Sequence, residues 1–108
     1  MDTNLLSETA EWIAGNSLAL LVLTTPDCGV CNAIKPKLAE MSDRYELLEL
    51  RYVDVASAPE AAGTYNVFAV PVVILFVHGR ETVRFARHFG IGELEEAVSR
   101  YASLLEEP

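Results

Sequence analysis

The chain has 108 residues, of which 51% are hydrophobic and 22% charged, and sixteen acidic against eight basic side chains give a net charge of −8. That length suits one domain, residues 1–108, large enough to bury a real core. The acidic balance excludes general nucleic-acid binding, which needs basic surface. The longest apolar stretch, Val67 to Val77, is broken by Pro71 and is too short to span a bilayer.

Met1 to Asn4 holds no basic region followed by an apolar one, so no secretory signal is read and a cytoplasmic location is expected. Leu5 to Ala14 reads as the first helix, with Leu5, Leu6, Thr9, Trp12 and Ile13 on one stripe and Gly15-Asn16 as the stop. Trp12, the only tryptophan, is expected to anchor that helix in the core. Leu18–Thr24 is apolar at nearly every residue, as suits a central strand covered on both faces. Thr25-Pro26-Asp27 then leads into a helix expected to run to about Tyr45, with Pro36 inside it as a kink.

Leu47–Asp54 is expected as a second strand, parallel to the first across that helical crossover. Ala58 to Tyr65 reads as a short helix with Pro59 in its first turn. Val72–Val77 forms a third strand, turned by His78-Gly79-Arg80 into a fourth at roughly Thr82–Phe89, an antiparallel hairpin. Gly90 and Gly92 break the chain. Gly92 to Leu105 closes it as an amphipathic helix with Leu94, Ala97, Val98, Tyr101, Leu104 and Leu105 inward. The order is α-β-α-β-α-β-β-α, without internal repeats or low-complexity segments.

The chemistry sits at Cys28-Gly29-Val30-Cys31, which holds the only two cysteines. Cys31, Ile34, Leu38, Met41 and Tyr45 recur at helical spacing, so Cys31 belongs to a buried stripe. Cys28 falls at the first turn of that helix, where unpaired N–H groups and the dipole favour an anion and should depress a thiol pKa. The sulfur three residues on is placed to attack a mixed disulfide formed by the first. An inert pair of small hydrophobes is the bland alternative. A zinc site would need further ligands, and the two histidines, His78 and His88, lie far along the chain, so no metal is expected. His78 and His88 read as solvated hairpin residues, and Tyr65 as an aromatic at the edge of the core.

With the Cys pair at a strand-to-helix turn, Pro36 five residues beyond it, Val70-Pro71 heading the third strand and the Gly79 hairpin after it, the sequence resembles the thioredoxin family. The resemblance covers Leu18 to Leu105. It implies a thioredoxin-like α/β fold in which Cys28 is the attacking nucleophile and Cys31 the resolving thiol. It also implies that Val70-Pro71 is a cis peptide beside the sulfurs, leaving the Val70 backbone free to pair with an extended substrate. Gly29 and Val30 join Val70 as candidate substrate-binding residues, and Asp27 as a carboxylate that should raise the Cys28 pKa. Departures from the family pattern are specific. Asp27 replaces the usual tryptophan, Val30 the usual proline, Val22 the buried acid, and Leu50 its lysine partner. Too few residues precede the first helix for the N-terminal strand of a full thioredoxin, so a four-stranded mixed sheet flanked by helices is expected.

Thiol–disulfide exchange follows as the expected activity, in the direction of reducing disulfides of client proteins. An upstream thiol reductant would restore the dithiol, with no cofactor. A monomer is expected, without nucleic-acid or membrane partners. The rival from another class is an adaptor that docks partners along Val70-Pro71 and uses its Cys pair only as a redox switch.

Overall fold

The computed structural model describes residues 3–106; Met1 and Asp2, on which the reading of the amino terminus partly rests, lie outside the described residues. The elements are α1 (Thr3–Gly15), β1 (Leu18–Thr24), α2 (Gly29–Ser42), β2 (Leu48–Asp54), α3 (Pro59–Thr64), β3 (Val72–Val77), β4 (Arg80–Ala86) and α4 (Ile91–Glu106). Four strands form one mixed sheet in the order β2-β1-β3-β4. β1 and β2 run parallel, joined through α2, while β3 is antiparallel to both β1 and β4.

The continuous apolar run of β1 has its physical reason in this arrangement. Successive side chains of a strand point to opposite faces, and every β1 residue is buried. Leu18, Leu20 and Val22 face one layer, packed with Ile34, Leu38 and Met41 of α2 and Leu94, Val98 and Ala102 of α4. Ala19, Leu21 and Leu23 face the other, with Ile13 of α1 and Ala58 and Ala61 at α3. Each fully buried leucine or valine here contributes roughly 1.5–3 kcal/mol of transfer free energy.

Several expected boundaries move. α2 passes through Pro36 and stops at Ser42, short of Tyr45, because a turn closes it through the Arg44 N–H to the Met41 carbonyl. Tyr45 still packs on the core from outside the helix. β4 begins at Arg80 rather than Thr82 and ends at Ala86 rather than Phe89. His78 and Gly79 both have positive φ, which lets a two-residue turn bring Arg80 directly opposite Val77. The pairing then skips Thr82, which bulges between Glu81 and Val83. At the far end Arg87 takes φ 57° and leaves the strand. On α4 the inner line is Leu94, Val98 and Ala102, and Leu104 is 57% exposed instead of inward. At about 100° per residue Leu104 lies on the order of 120° from the centre of that line.

Candidate active site

Three strand ends and one strand start meet at the same edge of the sheet. In the registers, Thr24 of β1 pairs Asp54 of β2, Leu23 pairs Val72 of β3, and Val72 pairs Ala86 of β4. The Thr25–Cys28 turn therefore leaves β1 beside the point where Pro71 enters β3. The sheet order and its registers bring together two segments forty residues apart.

Cys28 is the N-cap of α2, one position before its first helical residue, with φ −89° and ψ 110°. Its sulfur accepts a hydrogen bond from the Cys31 N–H at 3.1 Å, so sulfur takes the place that a Ser or Asp oxygen fills at ordinary caps. The turn is braced by the Cys28 N–H on the Thr25 carbonyl and by the Asn32 side chain donating to the Pro26 carbonyl at 3.2 Å. Cys28 and Cys31 are joined as a disulfide with Cα atoms 5.2 Å apart. Their surroundings differ: Cys28 is half-buried, whereas Cys31 is fully buried beside Ile34 and Leu38 on the inner stripe of α2. Asp27, Gly29 and Val30 are exposed around them, Val30 by 51%.

The Val70–Pro71 peptide bond is cis. Pro71 is buried, Val70 is half-buried, and the Pro71 carbonyl accepts the Arg87 N–H at 2.7 Å. The core layer between β1 and α2 is apolar. Val22 is fully buried and Leu50 packs against the same cluster, and the buried polar side chains among the described residues are Thr9 and Thr24. His78 and His88 are exposed, and Tyr65 packs edge-on against Phe76 with ring centroids 6.5 Å apart.

A dithiol–disulfide couple at a helix N-terminus, beside a cis-proline at a strand start, has a counterpart among known proteins. The family model described as Thioredoxin matches residues 6–100. The chain belongs to the thioredoxin family. It is 32% identical over 96 residues to the thioredoxin-like protein YdfQ of Bacillus subtilis, covering 89% of this chain and 86% of that one. Thioredoxin 1 of Thermosipho africanus superposes with a TM-score of 0.76 at 28% identity, over 82% of this chain and 99% of that one. Oxidised mitochondrial thioredoxin 3 of Saccharomyces cerevisiae shares the fold with a TM-score of 0.81 at 22% identity, over 88% and 89% of the two chains. The protein is accordingly a thiol–disulfide oxidoreductase.

Two residues at the edge escaped the sequence reading. Phe68, three residues before Pro71, is 94% exposed. Arg87, sixteen residues after Pro71, hydrogen-bonds to it through the backbone. The sequence carried no signal for the first, since Phe68 reads as part of the apolar run that starts at Val67. Nothing local signals the second.

Proposed function

We propose that the protein reduces disulfides in client proteins, with Cys28 as nucleophile and Cys31 as resolving thiol. The supporting observation is the asymmetry of the pair. Cys28 is half-buried with its sulfur capped by a backbone donor, whereas Cys31 is fully buried. In the reduced state the Cys31 N–H and the helix N-terminus favour a Cys28 thiolate. That thiolate attacks one client sulfur, forming a Cys28–client disulfide and releasing the other client sulfur as a thiolate. Cys31 then loses its proton and attacks the Cys28 sulfur, re-forming the Cys28–Cys31 disulfide and releasing the second client thiolate. The client gains two electrons, which an upstream thiol reductant must return to the pair.

Val70 and Pro71 form the ledge against which an extended client segment pairs, with Gly29 and Val30 as the opposing wall. Asp27, exposed beside the nucleophile, opposes the helix terminus and holds the Cys28 pKa higher than it would otherwise be. We further take the unit of function to be a cytoplasmic monomer of one domain. No described helix is long and apolar enough to cross a membrane.

Reduction of insulin with dithiothreitol as donor tests the function. The expected result is catalysis that is lost in Cys28→Ser. A wild-type protein that binds clients without turnover would instead be the adaptor, its Cys pair only a switch.

A further inference from the structure

We propose that the cleft between the Asn66–Val70 segment and β4 is a docking site for an acidic, aromatic-bearing segment of the client, with Phe68 and Arg87 as its selecting residues. This rests on the client-reduction reading and deepens it. The cleft has a volume of about 530 Å³, room for one or two side chains, and is lined by Phe68, Ala69, Val72, Arg84, Ala86 and Arg87 among others.

Its frame is held at both ends. The Asn66 carbonyl accepts a hydrogen bond from Arg84 Nη1 at 3.1 Å, and the Pro71 carbonyl accepts the Arg87 N–H at 2.7 Å. Val67 is buried between these anchors while Phe68 projects outward. A nearly fully exposed phenylalanine on a pinned segment loses little conformational freedom on binding and gains most of its apolar burial there.

The charges in the cleft fix the kind of partner. Arg84 is already matched, forking onto Glu81 at 2.9 and 2.8 Å. The Arg87 guanidinium has no ion-pair or side-chain hydrogen-bond partner among the described residues. In a chain of net charge −8 it is an unmatched cation lining the cleft, and a client carboxylate complements it.

The cleft adjoins the redox edge through chain and sheet order. Ala69 lines it and precedes Val70, and β4 lies two strands from β1 in the sheet. Two interstrand spacings are about 10 Å, which about three residues of an extended client span. The favoured client thus carries an acidic residue and an aromatic residue two or three positions from its reactive cysteine. Asp27, next to Cys28 in the chain and exposed, disfavours an acidic residue immediately beside the client's reactive cysteine.

The test uses the full chain, synthetic peptides with one cysteine capped as its 2-hydroxyethyl disulfide, and bis(2-hydroxyethyl) disulfide as a small neutral substrate. Peptides carry Glu-Phe, Gln-Phe or Gln-Ala two to three positions to either side of the cysteine. The Glu-Phe peptide should have a KM about tenfold below that of Gln-Ala on one side only. Phe68→Ala and Arg87→Gln should each remove most of that gap with kcat unchanged, and Arg87→Gln should erase the preference for Glu over Gln. Reduction of the small disulfide should stay the same in both variants. Calorimetric titration of cysteine-free versions of the peptides into the oxidised protein reads the cleft separately from turnover. Equal affinity for all peptides there overturns the docking site, whether or not turnover occurs. Tight, Arg87-dependent binding with no reduction of any disulfide leaves the docking site standing and overturns the reductase reading. A dimer in sedimentation that dissolves in Phe68→Ala would assign the cleft to a second copy and also overturn the proposal.

Discussion

The two ends of α2 are held by different physics. At the amino end the cap is a sulfur taking one N–H, and Val22 and Leu50, in the core layer that α2 covers, are apolar. At the carboxyl end charge is concentrated. Arg44 places Nε and Nη2 on the two Glu95 oxygens at 2.9 and 2.5 Å, Tyr45 donates its hydroxyl to Glu95 at 2.9 Å, and Glu40 stands 3.8 Å from Arg44. A cation there also complements the helix dipole. The contrast separates anchoring from chemistry. The charged end ties α2 to α4, while the end that reacts carries the sulfurs. A buried charge without a partner is costly, so the joint absence of acid and base at Val22 and Leu50 leaves a core with neither to balance.

The largest effect that would sharpen this contrast comes from the sulfurs. Cys28→Ser should abolish disulfide reduction, and Cys31→Ser should trap a client mixed disulfide visible by mass spectrometry. Trapping by Cys31 in the Cys28→Ser protein would reverse the assigned roles.

Next in size is a carboxylate placed in the core layer that α2 covers. Val22→Asp should cost about 3–5 kcal/mol of stability near neutral pH, because an ionised group would stand unpaired in the core. Its raised pKa should soften that loss in acid. The same substitution should add a carboxylate-like ionisation to the pH profile of mixed-disulfide decay, measured by stopped flow. In the unsubstituted protein the decay should simply accelerate with pH as Cys31 ionises. A distinct ionisation at about pH 6–7 that survives replacement of Asp27 would reveal another base, and the picture of a reacting end without a buried base would fail.

A smaller shift is expected from Asp27→Asn, which should lower the pKa of the reduced Cys28 thiol. Thiolate absorbance against pH reads it directly. An unchanged value would mean that the exposed Asp27 carboxylate is screened by water.

The smallest effect belongs to the charged end. The hydrogen bond from Arg44, and then that from Tyr45, hold the Glu95 carboxyl below its ordinary value of 4.5. A depressed carboxylate contributes stability above its unfolded pKa and loses it as pH falls through the folded value. The stability difference between the wild type and Glu95→Gln should therefore be present at neutral pH and shrink from about 4.5 downward. Salt should reduce it as well, because Arg44 is nearly half exposed. Denaturant titrations at several pH values check both. A pH-independent difference would mean that Glu95 acts by packing alone.

Much of the fold was legible because its signals are local. The buried line Cys31, Ile34, Leu38 and Met41 follows from helical spacing, and the two-sided burial of β1 from an unbroken apolar run. The boundaries that moved were set by partners distant in sequence or by backbone conformation. β4 starts where positive φ at His78 and Gly79 permits, and Tyr45 is held to α4 by Glu95 rather than by its own helix. Leu104 looked inward by composition, yet the register of α4 on the sheet favours Ala102.

The amino-acid order alone determined that a dithiol pair sits at a strand-to-helix junction, with its second sulfur on the buried stripe of the helix. Periodicity and adjacency act within a few residues, so those features needed no knowledge of neighbours. Only the tertiary structure decided that Arg87 meets Pro71 at one edge of the sheet, and that Phe68 stands out in water in a cleft it shares with an unmatched guanidinium. Those relations depend on which strands pair, in what register and which strand is left at the edge. Such pairings are settled by the burial of the whole sheet between its helices, not by any one segment.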